Sequence, residues 1–204
     1  MEKIVFGWCV MKNSGITLKE LKYYAKMASE AYVDDPVYKF ACRNVTIRKK
    51  FIYHWLLLRL NSSRKKDIFY FDEEKRGLLI LREAHYDYTM LQFLKCPNWV
   101  FLVLYWPLTL KALLAYSHLD NSEIFDEKTF IISPVFVGKE HQGKGIATSL
   151  INMGLEDMRS KGYKVGLETQ NPDNVAFYER FGFRTVKHEH YKLENIDNYY
   201  MLCE

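Results

Sequence analysis

Residues 132–150 read ISPVFVGKEHQGKGIATSL, and the way this stretch folds decides the rest of the chain. It opens as a β-branched and aromatic run, crosses the turn Gln142-Gly143-Lys144-Gly145-Ile146-Ala147, and continues as an amphipathic helix. Glycines at a helix entry let the backbone approach a ligand with no Cβ in the way. The first N–H groups of a helix have no internal partner and sit at the positive end of its dipole. A strand, a glycine-containing turn and a helix N-terminus in that order make an anion site suited to phosphate.

Downstream, Ile146, Leu150, Ile151, Leu155 and Met158 share one face of a helix over about 145–161, and Gly162 is placed to stop it. A strand over 163–169 follows. Asn171-Pro172-Asp173 then supplies an N-cap, a first-turn proline and an acid favoured by the dipole, opening a helix that stops at Gly182. Strands at 183–187 and 199–202 close the chain.

Upstream, 130–137 is a central strand, and Pro134 within it implies a bulge or an edge. Runs 68–71 and 78–81 read as a hairpin across the polar turn 72–77. Thr17-Leu18-Lys19-Glu20 has capping-box spacing and starts a helix over 18–32, which Asp34-Asp35-Pro36 ends. A second helix covers 45–60, and 4–10 reads as a first strand. The strand–helix–strand crossover requires at least one parallel pairing, so the fold class is a mixed α/β layer structure.

The 204 residues suit a single domain with a helical insertion at about 84–128. Hydrophobic residues reach 49%, which is globular, and a net charge of +4 permits an anionic ligand without arguing for nucleic acid. The basic residues Arg43, Arg48, Lys49, Lys50 and 64–66 read as solvated helix faces. Cys9, Cys42, Cys96 and Cys203 form no CxxC pair, and the N-terminus lacks a signal cleavage site, so reduced thiols and a cytoplasmic location are expected. Segment 99–116 is strongly apolar but carries Pro107, Thr109 and Lys111, whereas a membrane span needs about 20 apolar residues. It reads as helix packed on the core, with a membrane-surface helix as the lesser alternative. His188 and His190 share a strand face without a third ligand, so no metal is expected.

Two phosphate readers fit the turn. Gly138-x-x-x-x-Gly143-Lys144 has most of the nucleotide P-loop spacing, but Gly145 stands where Ser or Thr must hold Mg²⁺. Gln142-x-x-Gly145-x-Ala147 instead resembles the pyrophosphate signature of the GNAT superfamily of acyl-CoA N-acyltransferases. Leu167-Glu168-Thr169-Gln170-Asn171 and Phe177-Tyr178-Glu179-Arg180-Phe181-Gly182-Phe183 are similar to the second half of that superfamily's site. Residues 130–183 carry the specific part. The Asp-Asp-Pro at 34–36 and the insertion before the central strand resemble one microbial subgroup.

The resemblance implies a mixed, mostly antiparallel central sheet flanked by helices, with acetyl-CoA as cosubstrate and no metal. It implies an opening between the central strand and the next parallel one, with pantetheine running along Val135, Phe136 and Val137. Gln142, Gly143, Lys144, Gly145, Ile146, Ala147 and Thr148 would hold the pyrophosphate, Asn171 would bond a pantetheine amide, and Asn174 would be a further cofactor-binding residue. The acceptor would be the amine of a small molecule or peptide. Tyr178, expected at a helix start facing the cleft, would protonate the departing thiolate. The central strand carries no carboxylate or histidine, which leaves Glu168 as the candidate base and Glu83 second. Two other readings stand beside these: Tyr178 and Glu168 as purely structural residues, and a GNAT-like protein that binds CoA without turnover.

Overall fold

Alternation along the hairpin divides the core in two and sets a sheet between the halves. The computed structural model describes residues 3–5, 8–12, 15–64, 66–85, 98–117, 123–192 and 194–204. Its strands are β1 (Lys3–Val5), β2 (Trp8–Lys12), β3 (Ile68–Asp72), β4 (Gly77–Glu83), β5 (Thr129–Val137), β6 (Lys164–Thr169), β7 (Arg184–Tyr191) and β8 (Ile196–Cys203). They form one sheet in the order β1-β2-β3-β4-β5-β6-β8-β7. Among the described residues only β5–β6 is parallel, so the sheet is mixed and mostly antiparallel, as expected.

Phe69, Phe71, Leu78, Ile80 and Phe136 face α1 (Leu18–Ala31) and α3 (Val45–Ser63), which join α2 (Pro36–Ala41) in one helical layer. Between β4 and β5 lie α4 (Trp99–Leu104) and α5 (Trp106–Ser117), packed on α3 and α2 respectively. The alternate residues Ile68, Tyr70, Leu79, Leu81, Ile132 and Val137 face α6 (Ile146–Arg159). α7 (Asp173–Glu179) contributes Tyr178 to the same side. Gly154 of α6 rides directly on β4: a Cβ there would lie 2.8 Å from Leu79 Cδ2.

Four boundaries differ from the sequence reading. The strand expected over 4–10 is two short antiparallel strands, each too brief for periodicity to reveal. Asp35 is more than a terminator: its carboxylate accepts from the Val37 N–H and caps α2, with Pro36 in the first turn. α7 begins at Asp173, whose N–H bonds Asn171 Oδ1 at 3.1 Å, so Asn171 does its capping just outside the regular helix. β7 and β8 are longer than expected because they pair along almost their full lengths.

Candidate active site

The parallel pairing of β5 with β6 runs from Thr129↔Lys164 to Ile132↔Leu167 and stops there. β5 continues along β4 to Val137, while β6 continues along β8 to Thr169, so the two strands part. At the parting point Ser133 and Pro134 together oppose the single residue Ile80, which is the bulge that Pro134 implied. The Gly138 N–H bonds Arg76 O at 2.9 Å, which fixes the alternation beyond the bulge. Phe136 bonds β4, while the N–H and C=O of Val135 and Val137 point into the gap. Both carbonyls are engaged: Tyr32 Oη donates to Val135 O at 2.6 Å, and Gln142 Nε2 to Val137 O at 3.3 Å. Phe136 turns its ring the other way, toward Tyr24 and Tyr32.

The gap opens toward the turn singled out by the sequence. Gly143 and Gly145 have φ of 75° and 78°, the left-handed region that side chains avoid. Gly145 caps α6 without a side-chain hydrogen bond, and the first helical bond there is Ser149 N to Gly145 O. The N–H groups of Ile146, Ala147 and Thr148 thus precede the helix's own ladder. They border a cavity of about 500 Å³ lined also by Val137, Gln142, Gly143 and Gly145, with His141, Phe177 and Arg180. Arg180, directly after α7, holds its guanidinium 5.0 Å from the Phe177 ring centroid. Sequence reasoning passed over Arg180, since a cation at a helix C-terminus is common for dipole reasons alone. Lys144, Asn171 and Asn174 lie off this lining; Asn174 Nδ2 donates to Thr169 Oγ1 at 3.1 Å.

Tyr178 lies in the last turn of α7, not at its start. It is 8% exposed, its ring set edge-on to Phe183, and burial pushes its hydroxyl up to about 12. It packs in the cluster that contains Val165 and Leu167. Glu168, one residue on, points to the opposite sheet face, where its strand partner Tyr200 is buried. The candidate acid and base therefore lie on opposite faces of the sheet. Burial raises the Tyr200 hydroxyl strongly, and the Tyr191 hydroxyl 3.3 Å away and the charge of Glu168 add to the rise.

On the face of Glu168, an Arg59 guanidinium from α3 donates to Ser133 Oγ at the bulge. The same arginine and Arg82 stabilise the charge of buried Asp67, whose pKa burial nevertheless raises to about 6. This cluster joins residues far apart in the chain and left no local trace in the sequence. His188 and His190 both bond Asp197 Oδ1, at 2.9 and 3.1 Å. Among the described residues no group of three or more His, Cys, Asp or Glu is disposed to hold a metal ion.

The sequence model of the acetyltransferase (GNAT) family matches residues 67–183. Acetyltransferase Atu2258 of Agrobacterium fabrum is 38% identical over 53 residues, 26% of this chain and 39% of its own length. Among solved structures, a protein from Corynebacterium glutamicum described as histone acetyltransferase HPA2 and related acetyltransferase aligns with a TM-score of 0.61. The match covers 95% of this chain and 93% of that one at 12% identity. A GNAT-family protein from Desulfovibrio desulfuricans aligns with a TM-score of 0.53 over 97% of this chain and 98% of its own, at 13% identity. Both likenesses concern the fold.

Proposed function

Because the chain belongs to the acetyltransferase (GNAT) family, we propose that it transfers an acetyl group from acetyl-CoA to a primary amine of a small molecule or peptide. The carrying observation is one continuous path. The β5–β6 gap, with the Val135 and Val137 N–H groups aimed into it, runs to the uncapped N-terminus of α6. The donor set fits the cosubstrate: the α6 N–H groups and Arg180 meet pyrophosphate, and the β5 N–H groups meet the carbonyls of an extended arm. Acetyl-CoA supplies an activated thioester, and a neutral amine forms the new C–N bond as the C–S bond breaks. Tyr178, a phenol protonated at neutral pH with or without the rise to about 12 that burial brings, gives its proton to the departing sulfur. Glu168 takes the proton lost by the amine, through water where the acceptor is held off the strand.

Thiol release from acetyl-CoA across a panel of amines tests this reading. Tyr178→Phe should lower turnover about 100-fold with CoA affinity unchanged, a size typical of a general acid. Unchanged turnover removes Tyr178 from the mechanism. A second reading, CoA binding without turnover, draws on the depth at which Tyr178 is buried and on the lack of a carboxylate in β5. Tight CoA binding with no thiol release on any amine would favour it.

A further inference from the structure

We propose that the outer face of α4 and α5 docks on an anionic lipid surface. Both helices are anchored on one side and bare on the other. Leu102, Tyr105 and Leu108 pack on the core cluster to which buried Ala112 belongs, and Phe101 stacks on His54 of α3 with ring centroids 3.8 Å apart. Outward, α5 presents Trp106, Leu110, Leu113 and Leu114, spaced i, i+4, i+7 and i+8 along one stripe. At the junction of the helices Leu104 is 70% exposed and Trp106 63% exposed. Apolar side chains this bare and this contiguous mark an interaction surface.

Charge identifies the occupant. Residues 36–64 and 99–117, which build α2 to α5, contain eight Lys or Arg and not one Asp or Glu. The rest of the chain holds 21 basic against 25 acidic residues. Of the eight, Arg48 is buried against Asp34 and Arg59 turns to Ser133. That leaves Arg43, Lys49, Lys50, Arg64 and Lys111 toward solvent beside Lys39, itself 3.5 Å from Asp34. Lys50 lies one turn before His54 on the α3 face that meets α4, and Ile47, 39% exposed, extends that face further. Lys111 is exposed beside Leu110, and α2, which carries Lys39, packs against α5. Aliphatic and tryptophan side chains set among cations match acyl chains below anionic headgroups. A second copy of this face would oppose cation to cation, because a two-fold contact pairs each patch with itself. Nucleic acid would use the cations but leave the outward leucines without partners. The helices lie flat: among the described residues no helix is long and apolar enough to cross a membrane.

Sedimentation with vesicles tests the docking, using phosphatidylcholine alone and phosphatidylcholine mixed with phosphatidylserine. The whole protein should pellet with the mixed vesicles and stay in solution with the neutral ones. Leu104→Ser/Trp106→Ser should abolish pelleting, and Lys50→Gln/Lys111→Gln should weaken it on the order of 25-fold, about fivefold for each cation removed. All four side chains are exposed and outside the acetyl-CoA path, so circular dichroism and CoA binding should match wild type, separating lost docking from lost folding. Wild-type protein remaining in solution with both vesicle types overturns the proposal. So does a dimer, or a complex with RNA or DNA, that forms in place of vesicle binding and is lost in the Leu104→Ser/Trp106→Ser variant.

Discussion

Two helices that enter the sheet's two flanks begin in opposite ways. At the start of α1 every local device is used. Thr17 Oγ1 accepts from the Glu20 N–H, Glu20 reaches back to the Thr17 N–H at 2.9 Å, and Lys75 closes on Glu20 at 2.6 Å. At the start of α6 no side chain is offered, and the entry residue is a left-handed glycine. The first arrangement spends the helix's orphan donors on the protein, and the second keeps them for something that is not protein. An uncapped N-terminus bordering a cavity is thus informative beside α1 and α3, each of which has a side-chain cap.

Making α6 resemble α1 should have the largest effect. Gly145→Asp would bring a carboxylate to the cavity and strain a left-handed backbone position, and CoA affinity should fall on the order of 100-fold, the size of one or two charge-assisted hydrogen bonds. Calorimetry reads this directly, and unchanged affinity would mean that the pyrophosphate lies elsewhere. Arg180→Ala sharpens the contrast by removing a cation that α1's end has no need of. Affinity should drop about tenfold, and less in high salt.

The reverse change, Thr17→Ala, should cost about 1 kcal/mol in urea unfolding and leave CoA binding untouched. Glu20→Gln keeps the capping geometry but removes the charge, so its signature is a pH dependence rather than a large loss. Burial pushes the Glu20 carboxyl up, but Lys75 and Thr17 outweigh it and hold it at about 2. A carboxyl depressed on folding adds stability that is full above its unfolded value, near 4.5, and is lost as pH falls toward 2. Urea midpoints measured across that window should decline for wild type and be flatter for Glu20→Gln.

Much of this was legible in the chain because the signals are local. The capping box at 17–20, the glycine stops at 162 and 182 and the hairpin 68–81 each declare themselves within a few residues. Pro134 announced the bulge that parts β5 from β6. Asp35-Pro36 misled, since the same dipeptide that ends one helix is chemically fit to begin another. The placement of Tyr178 and Glu168 on opposite faces is a product of β6 alternation combined with the packing of α7, and spacing alone could not give it. Arg59 at Ser133 joins positions 74 residues apart, a contact that only the assembled helical layer creates.

The two carbonyls already engaged on β5 bear on solubility. A sheet that parts in the middle exposes strand edges, and an exposed edge invites pairing with any extended chain. Such a chain needs donors and acceptors in alternation, yet Val135 O already accepts from Tyr32 and Val137 O from Gln142, so each acceptor on the open side of β5 has one lone pair taken. A stray peptide strand arriving there would have to crowd its N–H groups onto carbonyls that already hold a partner, whereas two ligand carbonyls about 7 Å apart, the two-residue repeat of a strand, would meet the Val135 and Val137 N–H groups directly. The same two hydrogen bonds that border the gap also make its edge a poorer template for another strand.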